Sequence, residues 1–351
     1  MSLPLEAGTS AEAGLDAYGS DTGPQGTDAF IEAQADVVAV EAGDEEAGWA
    51  DGPQDDAGTD AADAGEGGGL ACNGNASYCD RPYNEVSVVC THNAHSNEED
   101  PGFDIPTPNQ KYSFIHQLDD GVRCMMIDTY SYLGQPMLCH AQCALGATPL
   151  VPMLASVEAW MQAHPREVLT FILESYLSEN DTMQALQDSG MSALIYQHGP
   201  PGTAWPTLGW MIEHDQRLVV FTDDASVQGG SLLHWPSYGW ETPYNDPTFT
   251  CADGRGEPGA YAHQVFILNH YTLCPLGGCA SNGMNNNLYS FLWSRAMHCW
   301  EPDPQYNPDA QIPTFVTVDH YEVPEPGEES PRPDVFDAVD AINAAWMPGN
   351  G

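Results

Sequence analysis

The stretch LVPMLASVEAWMQAHPREVLTFILE, residues 150–174, decides the fold class. Leu150, Leu154, Val157, Trp160 and Met161 recur at helical spacing and share one face. Pro165 ends that helix, because it lacks a backbone donor and its ring clashes with the turn before it. Directly afterwards, VLTFIL (168–173) is a compact run of β-forming residues that ends on the carboxylate of Glu174. A helix passing straight into an apolar strand is half of a β/α repeat.

The same alternation extends in both directions. Upstream lie the strand-like runs VSVVCT (86–91) and GVRCMMID (121–128). Downstream, a helix through 181–188 precedes a short run at 193–196. Residues 208–214 read as helix and LVVF (218–221) as strand. Further strands are expected at 265–268 and 315–318, and further helices near 287–297 and 333–345. The fold class is therefore α/β, a TIM-like (β/α) barrel. About seven core strands are clear, so an irregular or incompletely closed barrel is expected as readily as a regular one. A doubly wound open sheet is the alternative, weakened by the lack of a glycine-rich phosphate loop after the first strand.

Residues 1–70 carry 17 acidic and no basic side chains, many Ala and Gly, and one Trp and one Tyr. Too little apolar area is available there to offset ordering entropy, so a disordered acidic tether is expected. Residues 71–351 form the folded domain, with every cysteine and nearly all the aromatics. The chain's formal charge of −43 repels phosphate backbones and excludes nucleic-acid binding. It also disfavours electrostatic docking on anionic lipid, and it attracts divalent cations.

Ten cysteines imply an oxidising compartment, with short loop-closing spacings at Cys72/Cys79, Cys139/Cys143 and Cys274/Cys279. No C-x-x-C pair occurs, which argues against structural zinc. No run is long and apolar enough to span a membrane. The start, Met-Ser-Leu-Pro, lacks the basic and apolar regions of a signal peptide, so a targeting segment is expected to have been removed.

In a β/α barrel, chemistry gathers at the C-terminal ends of the strands. Those ends read His92-Asn93, Asp128, Glu174, Asp223-Asp224, Asn269-His270 and Asp319-His320, with His140 in the segment after Asp128. Taken singly, each is explained by loop hydrogen bonding or helix capping. His95, His116, His164, His214 and His298 are given that structural reading. Together, the oxygen donors suit a hard cation such as calcium, and the imidazoles suit paired acid and base work. Asp223, Tyr244, Asn269 and His270 are candidates for substrate binding from position alone. Trp235, Tyr238 and Trp240 lie in a Gly/Pro/aromatic segment, 229–246. They either pack on the barrel, the favoured reading, or touch lipid.

Several segments jointly resemble a known family. They are Cys72-Asn73-Gly74, then 79–86 (CDRPYNEV), Thr91-His92-Asn93-Ala94, 117–123 (QLDDGVR), Met126-Ile127-Asp128, 138–143 (LCHAQC), 165–170 (PREVLT) and 315–321 (FVTVDHY). Over roughly 72–323 they are similar to the phosphatidylinositol-specific phospholipase C X-domain proteins, which are PLC-like phosphodiesterases. The resemblance implies a TIM-like barrel that cleaves an inositol phospholipid or a glycosyl-inositol anchor. His92 would be the general base toward the inositol 2-hydroxyl and His140 the general acid toward the leaving diacylglycerol oxygen. The product would be a 1,2-cyclic phosphate, with Asp319 orienting His92. The calcium-dependent type carries an Asn after the first His and acids ending strands two and three. Here Asn93, Asp128 and Glu174 match, whereas Met126 replaces a second acid. Arg123 is given a structural role. The resemblance further implies calcium as cofactor, phospholipid at a membrane surface as partner, a monomer, and a secreted, cell-surface or periplasmic location. Two alternatives stand: the same barrel acting on glycerophosphodiesters or sphingomyelin, and a secreted binding protein without turnover.

Overall fold

A computed structural model describes residues 70–102, 108–272, 280–323 and 332–346. The expected tether lies outside these residues except for Leu70, and so does the Cys274/Cys279 pair. The strands are β1 (Val88–Thr91), β2 (Cys124–Tyr132), β3 (Gln135–Cys139), β4 (Ala147–Pro149), β5 (Leu169–Tyr176), β6 (Leu218–Thr222), β7 (Leu233–His234), β8 (Gly239–Glu241), β9 (Val265–Asn269) and β10 (Phe315–Val318). The helices are α1 (Phe114–Asp120), α2 (Leu150–Ala163), α3 (Glu179–Asp188), α4 (Leu208–Glu213), α5 (Trp235–Tyr238), α6 (Ala280–Asn286), α7 (Tyr289–Trp300) and α8 (Asp334–Ala345).

The barrel path runs β7-β6-β5-β2-β1-β10-β9-β8, and every neighbouring pair along it is parallel. Among the described residues no ladder joins the two end strands, β7 and β8, so the barrel is incompletely closed. Strands β3 and β4 hang from β2 as an antiparallel arm. That arm corrects an expected boundary. β2 does not stop at Asp128, because Thr129–Tyr132 are paired by β3 and stay extended. β5 likewise continues past Glu174, since Ser175 and Tyr176 pair with the extended end of β2.

Side-chain parity sorts the strands into two layers. Val89, Met125, Ile127, Phe171, Leu173, Val220, Phe266, Leu268, Val316 and Val318 face outward, beneath the helices. Cys90, Cys124, Ile172, Phe221, Ile267 and Phe315 fill the lumen. Tyr83 and Trp205 plug the N-terminal end: the Tyr83 hydroxyl meets Thr170 Oγ1 at 2.6 Å, and the two rings lie 4.7 Å apart. α2 buries Leu150, Leu154, Val157, Trp160 and Met161, as its sequence predicts. Each such side chain contributes roughly 1.5–3 kcal/mol. Segment 229–246 is not a plain loop, because it holds β7, α5 and β8. Trp235, Tyr238 and Trp240 are buried in it. Strands of two or three residues carry no readable periodicity, which is why they escape a sequence reading.

Disulfides join Cys72–Cys79, Cys139–Cys143, Cys90–Cys124 and Cys251–Cys299. Cys90 and Cys124 are register partners on adjacent strands, a relation that exists only once β1 and β2 pair. No helix among the described residues is long and apolar enough to cross a membrane.

Candidate active site

Extending the lumen parity to the C-terminal rim places His92, Asp128, Glu174, Asp223, Asn269 and Asp319 at one mouth. Register brings them level in neighbouring pairs. Asp128 sits opposite Glu174. Leu173 pairs with Thr222, so Glu174 neighbours Asp223. Thr91 pairs with Val318, so His92 neighbours Asp319. The strand order then puts the carboxylates of β2, β5 and the end of β6 on one arc, with His92 at its border.

His92 follows β1, its amide donating to Val318 at 3.0 Å. Its Nδ1 lies 2.9 Å from Asp319 Oδ1. Asn109 Nδ2 donates to the same oxygen at 3.0 Å. Gln110 Nε2 donates to the carbonyls of His92 and Val318, at 2.8 and 3.1 Å. The imidazole stacks on Tyr271, with ring centroids 4.0 Å apart and planes at 13°. With Asp319 buried and acceptor-only, the proton belongs on Nδ1, which leaves Nε2 with a lone pair and no hydrogen bond among the described residues. Asn109, Gln110 and Tyr271 escape the sequence reading. An Asn-Gln pair in a polar segment reads as loop, and only the barrel brings it beneath the first strand.

His140 leaves the end of β3 on a short loop closed by Cys139–Cys143. Its side chain makes no hydrogen bond with the described residues. Burial and the nearby His92 push the imidazole below its ordinary value, while Asp319 and Glu174 pull it back up. Its ring centroid lies 6.5 Å from that of His95, whose Nε2 is 3.9 Å from Asp128 Oδ2, so it stands beside the mouth. Beneath the loop, His95 is fully enclosed, and its Nε2 meets the Cys139 carbonyl at 2.9 Å. Burial drives His95 down to about 3, so it is a neutral structural support, as its sequence reading expects.

Asp128 is 6% exposed and has no hydrogen bond among the described residues, and its Oδ2 lies 3.9 Å from the neutral His95 ring. Burial first, then Glu174 and Asp223, raise its carboxyl well above the usual range. Glu174 is exposed and accepts from the Tyr176 hydroxyl at 2.5 Å. Asn93 holds a left-handed φ of 46° and is buried. Met126 faces the lumen one layer below Asp128 and packs in the apolar cluster there. Among the described residues no three Asp, Glu, His or Cys side chains form a preassembled metal cluster. The oxygens of Asn93, Asp128 and Glu174 nevertheless suit a hard cation, and the buried Asp128 carboxylate has no hydrogen-bond donor among the described residues.

The remaining candidates divide. Asp223 is at the mouth and accepts from the Ser175 amide at 2.8 Å. Tyr244 is exposed, with the Arg255 guanidinium 5.6 Å over its ring. Asn269 and His270 are enclosed instead. Asn269 Nδ2 donates to Glu241 Oε2 at 3.0 Å and to the Thr242 carbonyl at 2.7 Å. His270 bridges Arg295 and the Asn286 carbonyl, at 3.0 and 2.7 Å. Arg123 is scaffold as expected, paired with Glu167 at 2.7 Å. A separate cleft at the opposite end of the barrel, lined by Glu85, His263, Trp300 and Trp346, holds none of these residues.

Comparison with known proteins was consistent with this geometry. Residues 78–286, more than half of the chain, match the family model described as PI-PLC X 1. An uncharacterized secreted protein of Arthroderma benhamiae is 31% identical over 213 residues, covering 57% of this chain and 47% of that one. A PI-PLC X domain-containing protein of Arabidopsis thaliana is 28% identical over 215 residues, covering 56% and 50%. The chain thus spans about half the length of these curated relatives. A solved phosphatidylinositol-specific phospholipase C of Staphylococcus aureus superposes with a TM-score of 0.50 at 13% identity, covering 77% of this chain and 95% of that one, a likeness of fold. By the match from β1 through β9, which takes in both histidine segments, the chain belongs to the PI-PLC X-domain family.

Proposed function

We propose that this protein is a phosphodiesterase that cleaves an inositol phospholipid, or a glycosyl-inositol anchor, by acid–base catalysis between His92 and His140. One observation carries the reading. Among the described residues His92 has its Nδ1 fixed by Asp319 and no hydrogen bond at Nε2, while His140, with no side-chain hydrogen bond, has its ring centroid 6.5 Å from that of His95, which lies 3.9 Å from Asp128 at the same mouth. In the first step His92 Nε2 takes the proton of the inositol 2-hydroxyl as that oxygen bonds to phosphorus. The bond from phosphorus to the glycerol oxygen breaks, and His140 gives that oxygen its proton. The products are a 1,2-cyclic phosphate and diacylglycerol. The imidazolium at His92 is stabilised by the Asp319 carboxylate.

Calcium is the cofactor of this proposal, held by Asn93, Asp128 and Glu174. When bound there it would supply positive charge beside the phosphoryl oxygens and lower the pKa of the attacking hydroxyl. The apolar packing of Met126 removes one ligand that the resemblance implies. The disulfides and the secreted relative favour action outside the cell; phospholipid at a membrane surface as partner and a monomeric state belong to the same proposal.

The test is phosphorus NMR of phosphatidylinositol vesicles incubated with the full chain. A cyclic inositol phosphate signal that grows with calcium and vanishes in EGTA is expected. No cleavage in either condition would refute the catalytic reading, and undiminished cleavage in EGTA would refute the metal.

A further inference from the structure

We propose that Arg255 is the side chain that grips the substrate's phosphate at this mouth, and that Glu241 and Asn269 are its positioning residues. The inference rests on the reading of the mouth as a phosphodiester site.

The argument begins with charge. The rim presents Asp128, Glu174, Asp223 and Asp319 to an incoming anion, so a phosphodiester needs a cation opposite them. The other arginines are committed to the scaffold. Arg81, Arg166, Arg217 and Arg295 donate to backbone carbonyls, and Arg123 is held by Glu167 and carbonyls. Arg332 is paired with Asp337 and Asp340. Arg255 differs: its Nε donates to Glu241 Oε1, and among the described residues neither terminal amine makes a hydrogen bond. Its side chain is 46% exposed, while that of Glu241 is 1% exposed. A buried carboxylate therefore holds one edge of a guanidinium and leaves the outer fork open. That fork is the donor geometry that phosphate takes in two bonds at once.

Its place is also set. Glu241, which holds it, is bonded through Oε2 to Asn269 at the C-terminal end of β9, the strand beside β10 and its Asp319, and the charge of Arg255 acts on Asp223 and on Tyr271, the ring on which His92 stacks. The backbone is pinned as well. The Glu241 amide donates to the Arg255 carbonyl at 3.0 Å, and the Gly254 amide donates to the Glu241 carbonyl at 2.7 Å. Gly256, at φ +77°, lets the loop lie against β8, where a Cβ would strike the Gly239 carbonyl oxygen. Asn269 holds the far oxygen of Glu241, so the enclosed amide acts on the mouth through two side chains. A role confined to neutralising Glu241 would not need the open fork, because a lysine supplies charge equally well.

Binding is read directly by calorimetry, with myo-inositol 1-phosphate and free myo-inositol as probes, on the full chain and on Arg255→Met and Arg255→Lys. Expected is a loss of ten-fold or more in affinity for the phosphate ester in Arg255→Met and a smaller loss in Arg255→Lys. Affinity for myo-inositol should be unchanged in the folded variants, with folding checked by circular dichroism. Asn269→Ala should weaken the ester in the same direction. Equal ester affinity in wild type and Arg255→Met, no ester binding by wild type, or equal loss for both probes would each overturn the proposal. Arg255-dependent ester binding without turnover of phosphatidylinositol would instead refute the catalytic reading and leave Arg255 as a phosphate clamp.

Discussion

Replacing Asp319 by asparagine changes one charged atom group and almost no volume, so its cost can be worked from the hydrogen bonds on the page. In the wild type, His92 Nδ1–H points at Asp319 Oδ1 over 2.9 Å, and Asn109 braces the same oxygen at 3.0 Å. Asp319 is 3% exposed, so water cannot replace it. In the proposed first step His92 accepts the hydroxyl proton and becomes a cation, and this bond then becomes charge-assisted at both ends. Hydrogen bonds to charged groups contribute roughly 1.5–3 kcal/mol, which is about a 10- to 150-fold loss of rate when the charge is removed. A second loss is built into the geometry. If the new amide presents its nitrogen to His92, Nδ1 must become the acceptor and the proton moves to Nε2, the atom needed as base. The combined loss then approaches the roughly 10⁴-fold ceiling for general acid–base groups. The assay is initial-rate cleavage of phosphatidylinositol in mixed micelles, with folding checked by near-ultraviolet circular dichroism. Asn109→Ala, which loosens the carboxylate without removing it, should cost about ten-fold or less. A folded Asp319→Asn protein within three-fold of wild-type kcat would refute the idea that Asp319 holds the base.

Further outcomes follow from burial and covalent links. His140 is pushed below its ordinary value while Glu174 pulls it upward, so in metal-free protein its NMR titration midpoint should lie below 6.5, and Glu174→Gln should move it lower still; a midpoint above 6.5 would contradict the placement. His95 and His270 are held down to about 3 and His198 to about 4, from an ordinary 6.5. The unfolded chain binds protons there first, so their contribution is complete above about pH 6.5 and is lost as pH falls toward 3. Each costs roughly 1.4 kcal/mol per pH unit in that window. Denaturant melts between pH 7 and 4 should show this slope, shallower in a folded His270→Gln variant. The Cys90–Cys124 bond closes a span of 34 residues, and the double alanine variant should lose about 3–4 kcal/mol of stability, measured by urea unfolding; an unchanged midpoint would mean that the two strands hold register without it.

What sequence could show here depended on period. A fourteen-residue amphipathic helix and four- to six-residue apolar runs carry their own signatures, so α2, β5, β6, β9 and β10 were legible. Position at the C-terminal ends of strands singled out His92, Asp128, Glu174 and Asp223, and the observed side-chain parity of the strands carries these four to the rim. Position misled at Asn269, which ends β9 yet is covered by Thr242 and Glu241 and is buried. A strand-end position tells where a residue sits along the barrel, and cannot tell what lies above it. His270, of opposite parity, is enclosed by Arg295 and Asn286. Asn109, Gln110 and Arg255 have no periodic context at all, and their partners are far along the chain.

The order of strands around the barrel gives these scattered residues a common logic. The acids of β2, β5 and the end of β6 are contiguous in the sheet, while β10, β9 and β8 carry Asp319, the segment of Tyr271, and Glu241 with its arginine on the other side of β1. His92, at the end of β1, stands at the boundary, and His140 reaches over it from the β3 arm. A phosphate between the two imidazoles would therefore meet oxygen donors suited to a cation on one flank and an open guanidinium on the other. Moving either flank by one strand would separate charge stabilisation from proton transfer. Asp128→Asn and Arg255→Met should accordingly fail in different ways. The first should remove calcium binding and leave ester binding in EGTA intact, and the second should weaken the ester whether or not calcium is present. Identical behaviour in the two variants would mean that the flanks are one network and that the division along the sheet is wrong.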